Sequence, residues 1–434
     1  MTKISKYDIL LHNVILNIKD NAMTPNYKRT KYACYYTYLA AAAAFCLPPM
    51  LFTTFHEKYG LSFTLLGSLV VANFITQLVV DLIFSFFGKH LDSHLSLRIA
   101  PLLTSVGLLT YAFIPMFFPQ HAYAGLLIGT VIFSIAAGLG EVLVSPTVDA
   151  LPSDTHDRDM AALHSLYGYG LVTVIIVSTA ILHFIGNENW MYLVMFWAIP
   201  PIFASILLFT SPMPDMNKTE ETGTVQPKTR NFGLILCMLC IFFGSCAENT
   251  MTNWISSFAE LALGVPKALG DLFGLMLFAI LLSLTRTWYA KYGKNIYKVL
   301  MVSMVSAIFC YLIAGLSPVP IISMIACVLT GICTSMLWPG TLIYMEEKIP
   351  CAGVVGFALM AAGGDLGASI APELIGVITD TVAASGWGNT FSQSLSVTPE
   401  QLGMKIGMLV SAIFPIIGVA VLLYMKKYFK KTTV

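Results

Sequence analysis

Apolar and polar positions along this chain come in long blocks. Apolar runs occupy roughly 32–54, 62–87, 97–117, 121–149, 160–185, 189–210, 231–259, 268–290, 297–317, 319–345, 351–383 and 402–425, in two sets of six around one hydrophilic stretch, Ser211 to Arg230. A backbone surrounded by hydrocarbon must satisfy its own N–H and C=O groups, and about 20 apolar residues suffice to cross a bilayer as a helix. The pattern predicts an all-α membrane protein: twelve transmembrane helices in a 6+6 bundle of two pseudo-symmetric halves. The expected divisions are a leader at 1–31, a six-helix half at 32–210, a linker at 211–230, a second half at 231–425 and a basic tail at 426–434. Turn-forming pairs such as Tyr59-Gly60, Pro119-Gln120, Gly186-Asn187 and Ser317-Pro318 punctuate the runs.

The leader shows no cleavable signal pattern. Within it Leu11, Val14, Ile15 and Ile18 recur at helical spacing opposite Lys6, Asp8 and Lys19, which fits either a helix lying on the membrane surface or a disordered tail. Only 11% of residues are charged, against about 25% in a soluble domain, so a large soluble core does not explain the apolar excess. The net charge of +1 says nothing about an acidic partner, and no nucleic acid is expected. Nine cysteines lie scattered through apolar runs rather than at metal or disulfide spacing, and Cys237-x-x-Cys240 has no second pair. Neither a metal nor a cofactor is implied.

Charge distribution predicts orientation. With the N-terminus inside, 21 of the 24 Lys and Arg fall on one side of the membrane, and Lys58, Lys267 and Lys405 on the other. An odd number of spans would scramble this asymmetry. The expectation is a multi-pass protein of the cell membrane with both termini cytoplasmic, and a monomer. A faint repeat supports two related halves. Gly138 to Pro146 in the fourth span and Gly331 to Pro339 in the tenth share a spacing, and glycine clusters follow at Gly168 and Gly170 and at Gly363, Gly364 and Gly367. Small residues let spanning backbones approach closely.

The 6+6 layout, the Gly88-x-x-x-Asp92 loop and the Gly-to-Pro pattern of spans four and ten resemble the major facilitator superfamily, although the basic run expected after Asp92 is replaced by Ser93-His94-Leu95-Ser96-Leu97. Within that superfamily, Gly140-Glu141-x-x-x-x-Pro146, Leu163-His164-Ser165-Leu166-Tyr167-Gly168 and Gly244-Ser245-Cys246-Ala247-Glu248, leading to Asn253-Trp254-Ile255, are similar to the fucose-permease-type sugar:proton symporters. That resemblance implies a proton-coupling role for Glu141. It also implies an acid in the first span, which Tyr32 to Phe55 lacks.

Ionisable groups inside a span are costly and mark pathways or structural pairs. Glu141 is expected to load and release a proton, or to bond a neighbour such as His164, itself either a relay or a structural histidine. Ser245, Glu248, Asn249, Thr252, Asn253 and Ser256 recur at three- and four-residue steps on one face of the seventh span, with Trp254 beside them. Amides and a carboxylate read hydroxyls, and an indole packs on the apolar face of a sugar; a wet helix face without substrate contact is the alternative. Asn73 and Gln77 in the second span, Trp338 in the tenth and Asp365 in the eleventh join the candidate substrate wall. Asp81 is expected to pair with a basic residue of the opposite half, and Asp92 and Asp149 to act as latches.

These features predict a secondary transporter of a small polar organic solute, a sugar or glycoside, driven by protons. An exporter of amphipathic compounds by proton antiport, using the 21 methionines as an adaptable cavity, is the alternative. A polytopic enzyme lacks any H-E-x-x-H or G-x-S-x-G signature, and no G-x-x-x-x-G-K-[ST] loop suggests nucleotide drive.

Overall fold

The computed structural model describes residues 26–153, 156–214, 227–349 and 353–432. Among these the structure is helical, with twelve helices long and apolar enough to span a membrane. We number them α1 (Tyr27–Tyr59), α2 (Phe63–Phe87), α3 (Ser93–Phe117), α4 (Ala122–Asp149), α5 (His156–Ile185), α6 (Asn187–Phe209), α7 (Asn231–Ala262), α8 (Lys267–Tyr292), α9 (Ile296–Leu316), α10 (Pro320–Lys348), α11 (Gly353–Ala384) and α12 (Pro399–Lys430). A short helix, Gly386–Ser394, lies between α11 and α12. Because the count is even, α1 starts and α12 ends at the same end of the bundle, here the proximal end; the other is the distal end.

Several boundaries move from those expected. The first helix starts at Tyr27 and so takes up Lys28, Arg29 and Lys31 from the predicted leader. Helix continues back from α7 to Pro227, and forward from α12 to Thr432, where a tail was expected. The amphipathic segment around Leu11 to Ile18 lies outside the described residues, as do 215–226 of the linker.

Local chemistry sets the helix ends. Gly60 adopts φ +63° to close α1, a left-handed backbone that glycine enters without steric cost. Ser62 accepts from the Leu65 N–H to start α2, and Thr398 and Gln401 form a reciprocal capping box at α12. Pro48 and Pro49 fall inside α1; each lacks the N–H that would bond four residues back, so the helix is weakened at that level. Large apolar side chains such as Phe86, Phe184 and Ile321 remain exposed, as expected where lipid is the solvent.

Glycines record the symmetry of the halves. A Cβ on Gly138 of α4 would lie 2.9 Å from Val80 of α2, and one on Gly331 of α10 would lie 2.5 Å from the Phe278 carbonyl of α8. Likewise Gly170 of α5 lies against Leu39 of α1, and Gly367 of α11 against Phe242 of α7. The paired helices of one half (α2 with α4, α1 with α5) thus reappear, six positions on, in the other. The repeat read in the sequence is a repeat of close helix packing at glycines.

Candidate functional site

Hydrogen bonds that join the halves between described residues all lie toward the distal end. Lys267, at the start of α8, donates to Thr53 Oγ1 of α1 at 3.1 Å and lies 3.5 Å from Glu260. Asp380 of α11 accepts from the Phe63 N–H (3.1 Å), the Thr64 N–H (2.7 Å) and the Thr64 hydroxyl (2.6 Å) of α2. Between these ties sits Trp254 of α7, its ring 5.3 Å from Phe52 and 6.2 Å from Phe63 of the opposite half. Outside this closure a cavity of about 240 Å³ between α5 and α8 is lined by residues including Thr179, His183, Lys267 and Asp271.

Trp254 therefore departs from its expected place on a substrate wall. It is fully buried, its ring packs against two tilted phenylalanines, and its Nε1–H donates to the Pro372 carbonyl at 2.8 Å. A large ring with one polar atom satisfied by backbone suits a dry plug. Trp338 is half-buried and lies so close to Gly364 of α11 that any side chain there would meet the indole.

Beneath the plug, two expected residues meet across the halves. Asn73 of α2 and Asn253 of α7 line one small cavity together with Thr130, Pro48 and Pro49. At about 20 Å³ it has room for a single water. Asn73 Oδ1 accepts from Gln77 (3.1 Å) and Ser134 (2.6 Å), so its orientation is fixed from two sides. Gln77 itself is buried and serves as this support. On α7 the polar stripe is real but largely bonded along its own helix: Asn249 donates to Ser245, and Asn253 donates to the Asn249 carbonyl. Ser245 donates across to the Gly364 carbonyl of α11 at 2.6 Å, and Ser256 donates to Asp271 of α8.

Glu141 of α4 is accessible, although it lies well inside a 28-residue helix. Its carboxyl interacts electrostatically with Tyr38 of α1, Asp81 of α2, Tyr167 of α5 and Asp365 of α11. Groups from four neighbouring helices could surround it only if it faced the bundle axis. Glu141, Asp81 and Asp365, from both halves, thus lie within electrostatic reach of one another. Asp81 Oδ1 and Asp365 Oδ2 are buried with no hydrogen-bond donor among the described residues. A basic partner was expected for Asp81; its neighbours are instead two acids. Among the described residues no three His, Cys, Asp or Glu side chains are placed to hold a metal ion. The His164 side chain, the other expected proton carrier, lies outside the described residues.

Linked to this cluster is a residue that the sequence offered only as one of the 21 basic residues of one side. Arg286 of α8 donates through Nη2 to Glu248 Oε1 (2.9 Å) and Oε2 (3.2 Å), and through Nε to the Ser335 carbonyl (2.9 Å). Regular helix in α10 is interrupted between Thr334 and Leu337, where that carbonyl sits. Tyr167 interacts electrostatically with Arg286, Glu248 and Glu141 at once, which ties the ion pair to the acidic cluster. Arg286 escaped notice because it lies 38 residues along the chain from Glu248, its partner, and counts in the sequence as one more cation toward the end of a span.

At the proximal end, Asp92 caps α3 by accepting from the Leu95 N–H at 3.0 Å, and Asp149 is exposed and forms no ion pair among the described residues. Neither bridges two helices there. An ion pair that does join two helices is Lys31 of α1 with Asp159 of α5, at 3.1 Å, with Ser153 donating to the same carboxylate. These hydrogen bonds, Ser153 first and then Lys31, hold Asp159 below the usual carboxylate range.

Comparison with known proteins agrees with this architecture. A bacterial homologue of the human lysosomal transporter Spinster, in an inward-facing and unoccupied conformation, aligns with a TM-score of 0.73 at 13% identity, over 94% of this chain and 99% of that one. A D-xylose–proton symporter aligns at 0.69 and 15% identity, over 89% and 96%. The fucose–proton symporter of E. coli aligns at 0.55 and 13% identity, over 90% and 98%. No curated protein matches the sequence. At such identities the likeness speaks for the fold. The sequence itself matches the Major Facilitator Superfamily over residues 35–372, and the chain belongs to that family of multi-pass membrane transporters.

Proposed function

We propose that this transporter moves a small polar organic solute, a sugar or glycoside, by alternating access coupled to protons, with the proximal end in the cytoplasm. The observation that carries the reading is the electrostatic coupling of Glu141, Asp81 and Asp365 across the two halves, linked through Tyr167 to the Arg286–Glu248 pair. Like charges in surroundings of low dielectric repel strongly. Bringing α2 and α4 up to α11 is therefore favoured when these carboxyls share protons, and separation is favoured when they lose them. That links proton occupancy to the distance between the halves, which coupling requires.

Tyr167, the Arg286–Glu248 pair, Asn249 and Glu141 supply hydroxyl, guanidinium, amide and carboxyl groups, a set that pairs with a hydroxylated solute. Two fold neighbours are sugar–proton symporters, of D-xylose and of fucose, which is consistent with the same chemistry here. The Lys and Arg bias argues for a cytoplasmic proximal end. Methionines such as Met50, Met251, Met304, Met360, Met408 and Met425 are fully buried in packed cores, which weakens the case for a methionine-lined export cavity.

Reconstituted protein should accumulate a labelled monosaccharide or small glycoside from a panel only when a proton gradient is imposed. Glu141→Gln should abolish that accumulation while sparing exchange between equal pools of solute. Gradient-driven uptake by Glu141→Gln at the parent rate removes Glu141 from the coupling role.

A further inference from the structure

The N-terminus of α2 is completed by the opposite half of the molecule. A helix begins with N–H groups that no earlier turn can accept from, and with a partial positive charge. Here Ser62 takes the Leu65 N–H, and there is no acid in the first turn of α2. The Phe63 and Thr64 N–H groups go to Asp380, whose carboxylate also receives the Thr64 hydroxyl. The donor and acceptor stand 316 and 317 residues apart. Close by, Gly376 of α11 lies against the Phe63 carbonyl with no room for a side chain, and Gly67 of α2 lies against Glu373. α2 and α11 therefore meet backbone to backbone where the carboxylate reaches across.

We propose that Asp380 is a gating residue of the transport cycle: by capping α2 from α11 it latches the distal end shut, and the two helices must part at this cap for that end to open. Three features fit a latch better than a permanent weld. The bonds are charge-assisted and aimed at a helix dipole, so they are stronger than neutral ones. They sit at the end of the helix, where water can take over the freed N–H groups once the halves separate. They also occur on one side only, because α5, which approaches α8 across the other seam, carries no Asp or Glu from Met160 to Ile185. At the start of α8 the bond across the halves is instead that of Lys267 to Thr53 of α1.

The test reads conformation and needs no substrate, so it stands apart from the transport assay. Asn253 lies beneath the closure and is buried. In sealed vesicles with an impermeant maleimide on the distal side, modification of Asn253→Cys is followed by peptide-resolved mass spectrometry. Asp380→Asn keeps the shape but loses the charge, and Asp380→Ala loses both. Each should raise the labelling rate by about tenfold, the change that loss of one charge-assisted cap brings to a two-state equilibrium. Thr64→Val removes one bond of three and should give about two- to threefold. Ser62→Ala removes the local cap of the same helix end and should leave the rate within about twofold. The proposal is overturned if both Asp380 variants label at the parent rate. It is equally overturned if Ser62→Ala matches them, since the cause would then be fraying of α2 and not release of the other half.

Discussion

Arg286 and Glu248 offer the sharpest energetic test, because each is the ion partner of the other within the bundle. Arg286→Met leaves the Glu248 carboxyl without its only side-chain donor among the described residues, and also releases the Ser335 carbonyl. Removing one member of a fully buried pair costs about 3–5 kcal/mol. The Arg286 side chain is 37% exposed and that of Glu248 17%, so partial solvation should reduce the loss to about 2–3 kcal/mol. With about 2–4 °C per kcal/mol as an upper scale for larger chains, the unfolding midpoint in detergent should fall by several degrees. Glu248→Gln should cost less, because an amide can still accept from the guanidinium. The double variant should be more stable than the sum of the two losses predicts, by about 1–2 kcal/mol. Thermal unfolding of the four proteins in one detergent measures this cycle. Strictly additive losses, or an Arg286→Met midpoint equal to that of the parent, would refute the claim that the pair is a coupled unit.

Other expectations follow from single contacts. Gly367→Ala puts a methyl against the Phe242 carbonyl and 3.2 Å from the Cys246 nitrogen, so α7 and α11 must move apart at a cost of about 1–3 kcal/mol, read as lost thermal stability. Trp254→Phe preserves the plug but leaves the Pro372 carbonyl without its indole donor, a loss of about 1 kcal/mol, with parent-like stability as the contrary result. The depressed Asp159 carboxyl stabilises the fold above the ordinary aspartate range, and that contribution disappears as pH falls through its lower folded value. The difference in midpoint between parent and Asp159→Asn should accordingly be present at neutral pH and vanish in strong acid.

What could be read from the sequence divides by distance along the chain. Spans were legible because hydrocarbon imposes a length and a composition on each helix separately. The face of α7 was legible because its polar residues repeat at helical steps, yet periodicity could not tell whether Asn249 turns to a solute or to Ser245. Trp254 looked like a sugar platform from its neighbours in sequence; Phe52 and Phe63, which pack against it, come from the other half. Arg286 and Asp380 draw their roles from partners 38 and more than 300 residues away, and no local pattern carries that information. Asp92 illustrates the reverse case, since a residue suggestive of a latch by motif proves to be a helix cap by geometry.

The glycine seams have a mechanical consequence. Where α1 meets α5 and α7 meets α11, backbones lie so close that neither helix can slide without collision, so each half should behave as a solid body. Freedom to move then collects in the joint between the bodies. α11 contains 32 residues and so spans roughly 48 Å at 1.5 Å per residue. Swung by about ten degrees from its distal end, such a lever carries its far tip some 8 Å (roughly the width of a hexose) while the fulcrum hardly shifts.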